Sequence, residues 1–157
     1  MKFIVDKSYW NLFPDSKLGV LLLKNIQNGE STDEIKSILK EANNEAKKYL
    51  TKEILSENPV IAVWREAYKK FKTKKGVRSS IEALLKRVNS GNPVSSINKF
   101  VDIYNSASLK YGLPCGAEDL DSFVGDLKLT ITQGGDKFIP LGSDEEDNTL
   151  PNELCYI

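Results

Sequence analysis

The stretch from Ser95 to Asp126, SSINKFVDIYNSASLKYGLPCGAEDLDSFVGD, restricts the fold more than any other part of the chain. Ile97, Val101, Tyr104 and Ser108 recur at helical spacing, with Phe100 and Ala107 beside them, so the pattern predicts one buried helix face. Asn98 and Asn105 lie one step off that stripe. Ser95 or Ser96 is the expected N-cap, and Tyr111-Gly112 the expected stop, because glycine accepts the left-handed geometry that closes a helix. Leu113-Pro114 then forces an extended or turn conformation. Glu118, Asp119 and Asp121 follow beside the turn, and Gly125 releases the chain into a strand. Those carboxylates suit a general base or a cation, but acidic residues after a Gly-Pro turn more often cap a helix or accept from nearby backbone amides.

Read from the N-terminus, KFIV at residues 2–5 predicts a short strand. The run from Lys17 to Ile26 predicts a second one, buried on both faces because VLLL has no polar alternation. Pro14-Asp15 marks the loop between them. Ser31 and Glu34 have capping-box spacing ahead of Ile35, Ile38, Leu39, Ala42, Ala46 and Tyr49, an amphipathic helix. Asn58-Pro59 opens another, with Val60, Val63, Trp64, Ala67, Tyr68 and Phe71 as its stripe. Trp64 and Tyr68 read as core rather than as base-stacking aromatics. Ser79 and Glu82 repeat the capping spacing ahead of Ile81, Leu84, Leu85 and Val88.

Beyond Gly125, Leu127, Leu129 and Ile131 alternate with Lys128, Thr130 and Thr132, a half-buried strand at period two. Gln133 to Asp136 reads as a hairpin turn into Phe138-Ile139, GSDEEDN at 142–148 as an acidic loop, and Glu153 to Ile157 as a last strand. The predicted class is α+β: a mixed sheet with amphipathic helices packed on it, within one domain over 1–157.

A chain of 157 residues with 40% hydrophobic content holds one real core. Its 22 basic and 22 acidic residues cancel, so net charge names no partner, whereas distribution is informative. From Ala62 to Arg87 nine Lys or Arg face two Glu, and from Cys115 onward ten Asp or Glu face two Lys. The densest part is KKFKTKKGVR, Lys69 to Arg78. Lys72, Lys74, Lys75 and Arg78 are the candidates there for phosphate contacts, if these runs are more than solvated faces.

The chain contains no histidine, which excludes a Ser-His-Asp or Cys-His apparatus and any histidine metal site built from this chain. It also lacks a phosphate-cradling glycine loop ending in Lys-Ser/Thr. Cys115 and Cys155 form neither a disulfide framework nor zinc-site spacing, and a reduced cytoplasmic setting is the expectation. GVLLLKNI is far shorter than a membrane span, so neither membrane, metal nor cofactor is anticipated.

The order VDIYN, GLPCGAEDLD, GD, GGDKF and PLG resembles the B3/B4 domain of the phenylalanyl-tRNA synthetase β subunit and its freestanding relatives. The resemblance covers residues 76–157 well and 1–75 only in general layout. In the synthetase the domain hydrolyses the ester of tRNA wrongly charged with tyrosine, and the turn that carries a GQPxHAFD pattern contributes to the pocket. Gly112, Pro114, Ala117 and Asp119 match that pattern, Leu113 stands where it has Gln, and Gly116 stands at its histidine. The resemblance implies a deacylase acting in trans on mischarged tRNA, with Asn98, Asn105, Gly116, Glu118 and Asp119 as pocket candidates. The alternative is a binding module of the same fold, for RNA, an amino acid or a protein. The family places further elements after the last strand, so the chain is expected to be the front part of a longer domain.

Overall fold

A computed structural model describes residues 1–157. The chain folds into two compact units, each assembled from separated segments: Met1–Leu21 with Ala67–Val77 and Asp119–Ile157, and Leu22–Glu66 with Arg78–Glu118. The class is α+β, as the pattern predicts. No helix is long and apolar enough to cross a membrane.

The first unit holds the sheet. Strand β1 (Phe3–Val5) runs parallel to β2 (Leu127–Ile131), which is antiparallel to β3 (Leu154–Tyr156), in the order β1-β2-β3. Helix α1 (Lys7–Leu12) follows β1 at once, capped by Asp6, whose carboxylate accepts from the Ser8 N–H at 2.9 Å. Sequence reading missed this helix, since six residues are too few to show a period. The Ser8 hydroxyl accepts from the Ile131 N–H at 3.0 Å and contacts the Thr130 hydroxyl at 3.2 Å. Thr130 and Thr132 are therefore buried along with Leu129, and β2 is a central strand instead of a half-exposed one.

Two expected strands do not form. Residues 17–26 have no regular structure, and no backbone hydrogen bond joins them to the sheet. Val20 and Leu21 keep 67% and 80% of their surface exposed, the opposite of burial on both faces. Phe138-Ile139 likewise stays outside the sheet, because β2 finds its antiparallel partner in β3. The loop between is tied by Asp136, whose carboxylate accepts from the hydroxyls of Thr132 and Thr149, the latter at 2.8 Å. Gly134 belongs to this closure. It has φ +89°, and a Cβ there would sit 2.7 Å from the Pro151 nitrogen.

The second unit is helical and holds the main core. Helices α2 (Asp33–Glu45), α3 (Pro59–Tyr68, up to Glu66 in this unit), α4 (Ser80–Asn89) and α5 (Lys99–Tyr111) surround Leu39, Ala42, Ala46, Ile61, Ile81, Leu85, Val88, Val94 and Leu109. The α4 stripe is as predicted, with Ser79 accepting from the Glu82 N–H. The Glu82 carboxylate does not complete a capping box, because it pairs with Arg65 at 2.6 Å. On α3 the buried face centres on Ile61, with Val60 and Trp64 packed beside it, while Val63 points outward at 60% exposure.

Two caps are displaced from their predicted positions. Thr32, not Ser31, caps α2, and Asn98, not Ser95 or Ser96, caps α5. The cause is Asp102, a fully buried carboxylate that takes the hydroxyls of Ser31 and Ser96 for itself.

Candidate functional site

The α5 helix and the turn after it carry most of the sequence-selected residues, and the buried face of α5 differs from the predicted one. Asp102, Asn105, Ser106, Ser108 and Leu109 are buried, while Ile97 is 67% exposed. The apolar stripe misled because the buried polar groups are met by local partners, which removes the penalty that normally turns such a face to water. Ser106 donates to the Asp102 carbonyl at 2.6 Å, and Ser108 to the Leu113 carbonyl. Asp102 accepts from the Ile97 N–H at 2.8 Å in addition to the two serines. Burial raises its pKa, but hydrogen bonds from Ser31, Ser96, Ile97 and Asn98 more than offset this and hold it below the ordinary 3.8.

Asn105 differs from its neighbours. It is nine-tenths buried, yet its amide makes no hydrogen bond within the protein. No buried side-chain nitrogen or oxygen is left both unpaired and sealed from solvent. The Asn105 amide therefore reaches the outside from within a buried setting, free to bond whatever enters there. Asn98, by contrast, is occupied as the α5 cap, its carbonyl oxygen accepting from the Val101 N–H at 3.0 Å.

Gly112 ends α5 in the left-handed region at φ +67°, its N–H donating to the Ser108 carbonyl at 2.8 Å. Gly116 is different. It is absent from the left-handed region, and a Cβ there would meet nothing within 4 Å, so the turn demands glycine at 112 and not at 116. Glu118 is exposed, and its charge adds to burial in pushing the Tyr104 phenol up, which places the carboxylate within electrostatic reach of α5.

The acidic cluster seen in the sequence does not persist as a group that could hold a metal. Asp119 belongs to the other unit, where it caps the 3-10 turn Leu120–Ser122 by accepting from the Asp121 N–H at 3.0 Å. Cys115 is half-buried, and burial pushes its thiol up, away from a reactive thiolate.

The basic candidates also divide. Lys72 and Lys75 are exposed, and Lys72 is anchored by its backbone N–H, which donates to the Asn152 carbonyl at 2.9 Å. Lys74 is held by Asp147, through the carboxylate and the backbone oxygen, both at 2.8 Å. Arg78 is exposed and opens the second segment of the helical unit. A shallow groove of about 350 Å³ lies in the sheet unit, lined by Asn11, Lys70, Phe71 and Asn152 among others, and none of the selected residues borders it. Its pieces come from three distant segments, so no sequence pattern announces it.

No curated protein and no solved structure matches the chain. The B3/4 domain family matches residues 63–157, from the middle of α3 to the last strand. That span is more than half of the protein, and it contains α5, the glycine turn and the carboxylates after it; the chain belongs to the B3/4 family, the domain found in the phenylalanyl-tRNA synthetase β subunit.

Proposed function

We propose that this B3/4 domain binds aminoacyl-tRNA and hydrolyses the ester of a mischarged one in trans. The observation that carries the reading is Asn105, a nine-tenths buried amide without a protein partner that keeps access to the outside. A site that presents such a group gains most from a ligand with matching donors and acceptors, as an aminoacyl ester has. The ester is already activated. Water adds to its carbonyl carbon, the bond to the ribose oxygen breaks, and that oxygen takes up a proton from the attacking water and leaves as a hydroxyl, while the water's oxygen stays in the amino-acid carboxyl group. Asn105 holds the amino-acid end and Glu118 orients the water, so that positioning replaces the missing imidazole. Lys72 and Lys75 supply phosphate contacts that do not depend on sequence.

A second reading is a binding module that retains the fold without the chemistry. It is favoured by the absence of histidine and by the raised thiol of Cys115, which leave Glu118 as the one base named for the site. One assay separates the two. The protein is incubated with a panel of mischarged tRNAs, and loss of ester is followed beside tRNA binding. Hydrolysis of one member above background, falling at least tenfold in Asn105→Ala, supports the deacylase. Salt-dependent binding without hydrolysis leaves the binding module. Neither binding nor hydrolysis rejects both.

A further inference from the structure

Asn28 is the only asparagine in the sequence that is followed by glycine. Asn28 and Gly29 are both exposed and lie outside any helix or strand, but they complete the cap of α5. The Phe100 N–H donates to the Asn28 Oδ1 at 3.4 Å, and the Lys99 N–H donates to the Gly29 carbonyl at 3.0 Å. The dipeptide thus serves two of the first-turn donors that a helix cannot satisfy by itself. The Gly29 N–H donates to the same Asn28 Oδ1 at 2.9 Å, which folds the carboxamide back onto the next backbone nitrogen. Lys99 adds a charge beside them, its Nζ 3.8 Å from where a Gly29 Cβ would sit.

We propose that Asn28 is a deamidation site of the folded protein and that the modification acts on the start of α5. The Gly29 nitrogen loses its proton to solvent hydroxide and attacks the Asn28 Cγ. The new N–C bond closes a five-membered succinimide, and the carboxamide nitrogen takes a proton from water and leaves as ammonia. A water molecule then opens the ring at either carbonyl, giving aspartate or isoaspartate at position 28. Glycine favours the attack, since it has no Cβ to obstruct the approach and its backbone turns freely. Negative charge builds on Oδ1 as the nitrogen adds. That oxygen faces a backbone N–H at the N-terminal end of α5, where partial positive charge gathers, with the Lys99 ammonium beside Gly29. Both residues are open to the hydroxide and water that the reaction needs. The two products differ in their effect on α5. Aspartate keeps the backbone and offers the Phe100 N–H a full negative charge. Isoaspartate routes the main chain through the former side chain, so the acceptors of Lys99 and Phe100 no longer hold their places together.

Ageing the folded protein beside a urea-unfolded sample, at one mildly alkaline pH and one temperature, tests this. The tryptic peptide 25–36 is followed by mass spectrometry for the gain of one mass unit, and fragmentation places the gain at residue 28. The folded chain is expected to react at no less than about one-tenth of the unfolded rate. A slower reaction overturns the proposal, because the bonds to α5 would then be protecting Asn28. Gly29→Ala is the control: its Cβ would meet only the end of Lys99 at an ordinary contact distance, so the fold is kept. The variant is expected to slow the reaction by about tenfold, and an unchanged rate also overturns the proposal. Amide hydrogen exchange reads the effect on α5. Lys99 and Phe100 should exchange faster in the purified isoaspartyl form than in the wild type, and slower in Asn28→Asp. Equal exchange in all three removes the link to α5.

Discussion

Ser31 and Asp102, 71 positions apart in the chain, meet side chain to side chain at 2.5 Å. This bond ties the entry to α2 onto α5, and Ser96 and Ile97 bring the segment before α5 to the same carboxylate. Replacing Asp102 by Ala leaves the buried Ser31 hydroxyl without an acceptor and removes the one shared by Ser96 and the Ile97 N–H, and the expected loss is about 3 kcal/mol of unfolding free energy. Asp102→Asn keeps one acceptor oxygen and should lose about half as much. Urea denaturation with unchanged slope in all three proteins checks both figures.

The same carboxylate makes stability pH-dependent in a defined direction. Its folded pKa lies below the ordinary 3.8, so the unfolded chain takes up the proton first as pH falls. The stabilisation is complete above the unfolded value and disappears as pH falls through the folded one. Asp136 acts in the same direction, lowered by the hydroxyls of Thr132 and Thr149. Urea midpoints at about pH 5 and about pH 3 should therefore differ more for the wild type than for Asp102→Asn. Equal differences would remove Asp102 as a source of acid sensitivity.

The two glycines of the turn should respond differently to a methyl group. At Gly112, φ is +67° and a Cβ would lie 2.8 Å from Val60 and 3.0 Å from the Tyr49 ring, so Gly112→Ala is expected to destabilise by about 2 kcal/mol. Gly116→Ala meets open space and should melt within a degree or two of the wild type. Gly116→His should fold equally well, which makes it a fair test of whether the family's histidine restores anything.

How much of this could be read in the residues depends on the kind of signal. Local chemistry was legible: the Ser79 cap, the Gly112 stop and the α4 stripe are each decided within a few positions, and so is the place of β2 as a strand, though not the burial of both its faces. Features decided by distant partners were not. The run at 17–26 looks like a strand because strand composition is local, whereas pairing is not. Asp102 turned the buried face of α5 away from its apolar stripe through Ser31, which no pattern connects to it. The candidate site divides in the same way. Asn98, Asp119 and Lys74 were chosen for their residue type; sequence neighbours occupy the first two as a cap and a turn, and distant Asp147 occupies Lys74 in an ion pair. Asn105 was chosen by the same criterion and is left without a partner.

The basic segment gives a graded prediction for RNA. Lys72→Ala with Lys75→Ala should lower the salt slope of tRNA binding by up to about two phosphate contacts. Lys74→Ala should leave that slope unchanged, because Asp147 already neutralises the ammonium. A slope that falls with Lys74 and not with the other two would reverse the assignment.

The claim on which the functional account rests is that the Asn105 amide faces the aminoacyl group. Nuclear magnetic resonance reads that group directly, through its side-chain NH2 signals, during titration with a non-hydrolysable amide analogue of 3′-aminoacyl-adenosine. The account predicts that these signals shift and saturate with the analogue, and that Asn105→Ala weakens its binding while the backbone spectrum away from α5 is preserved. Saturable binding that leaves the Asn105 signals in place would contradict it.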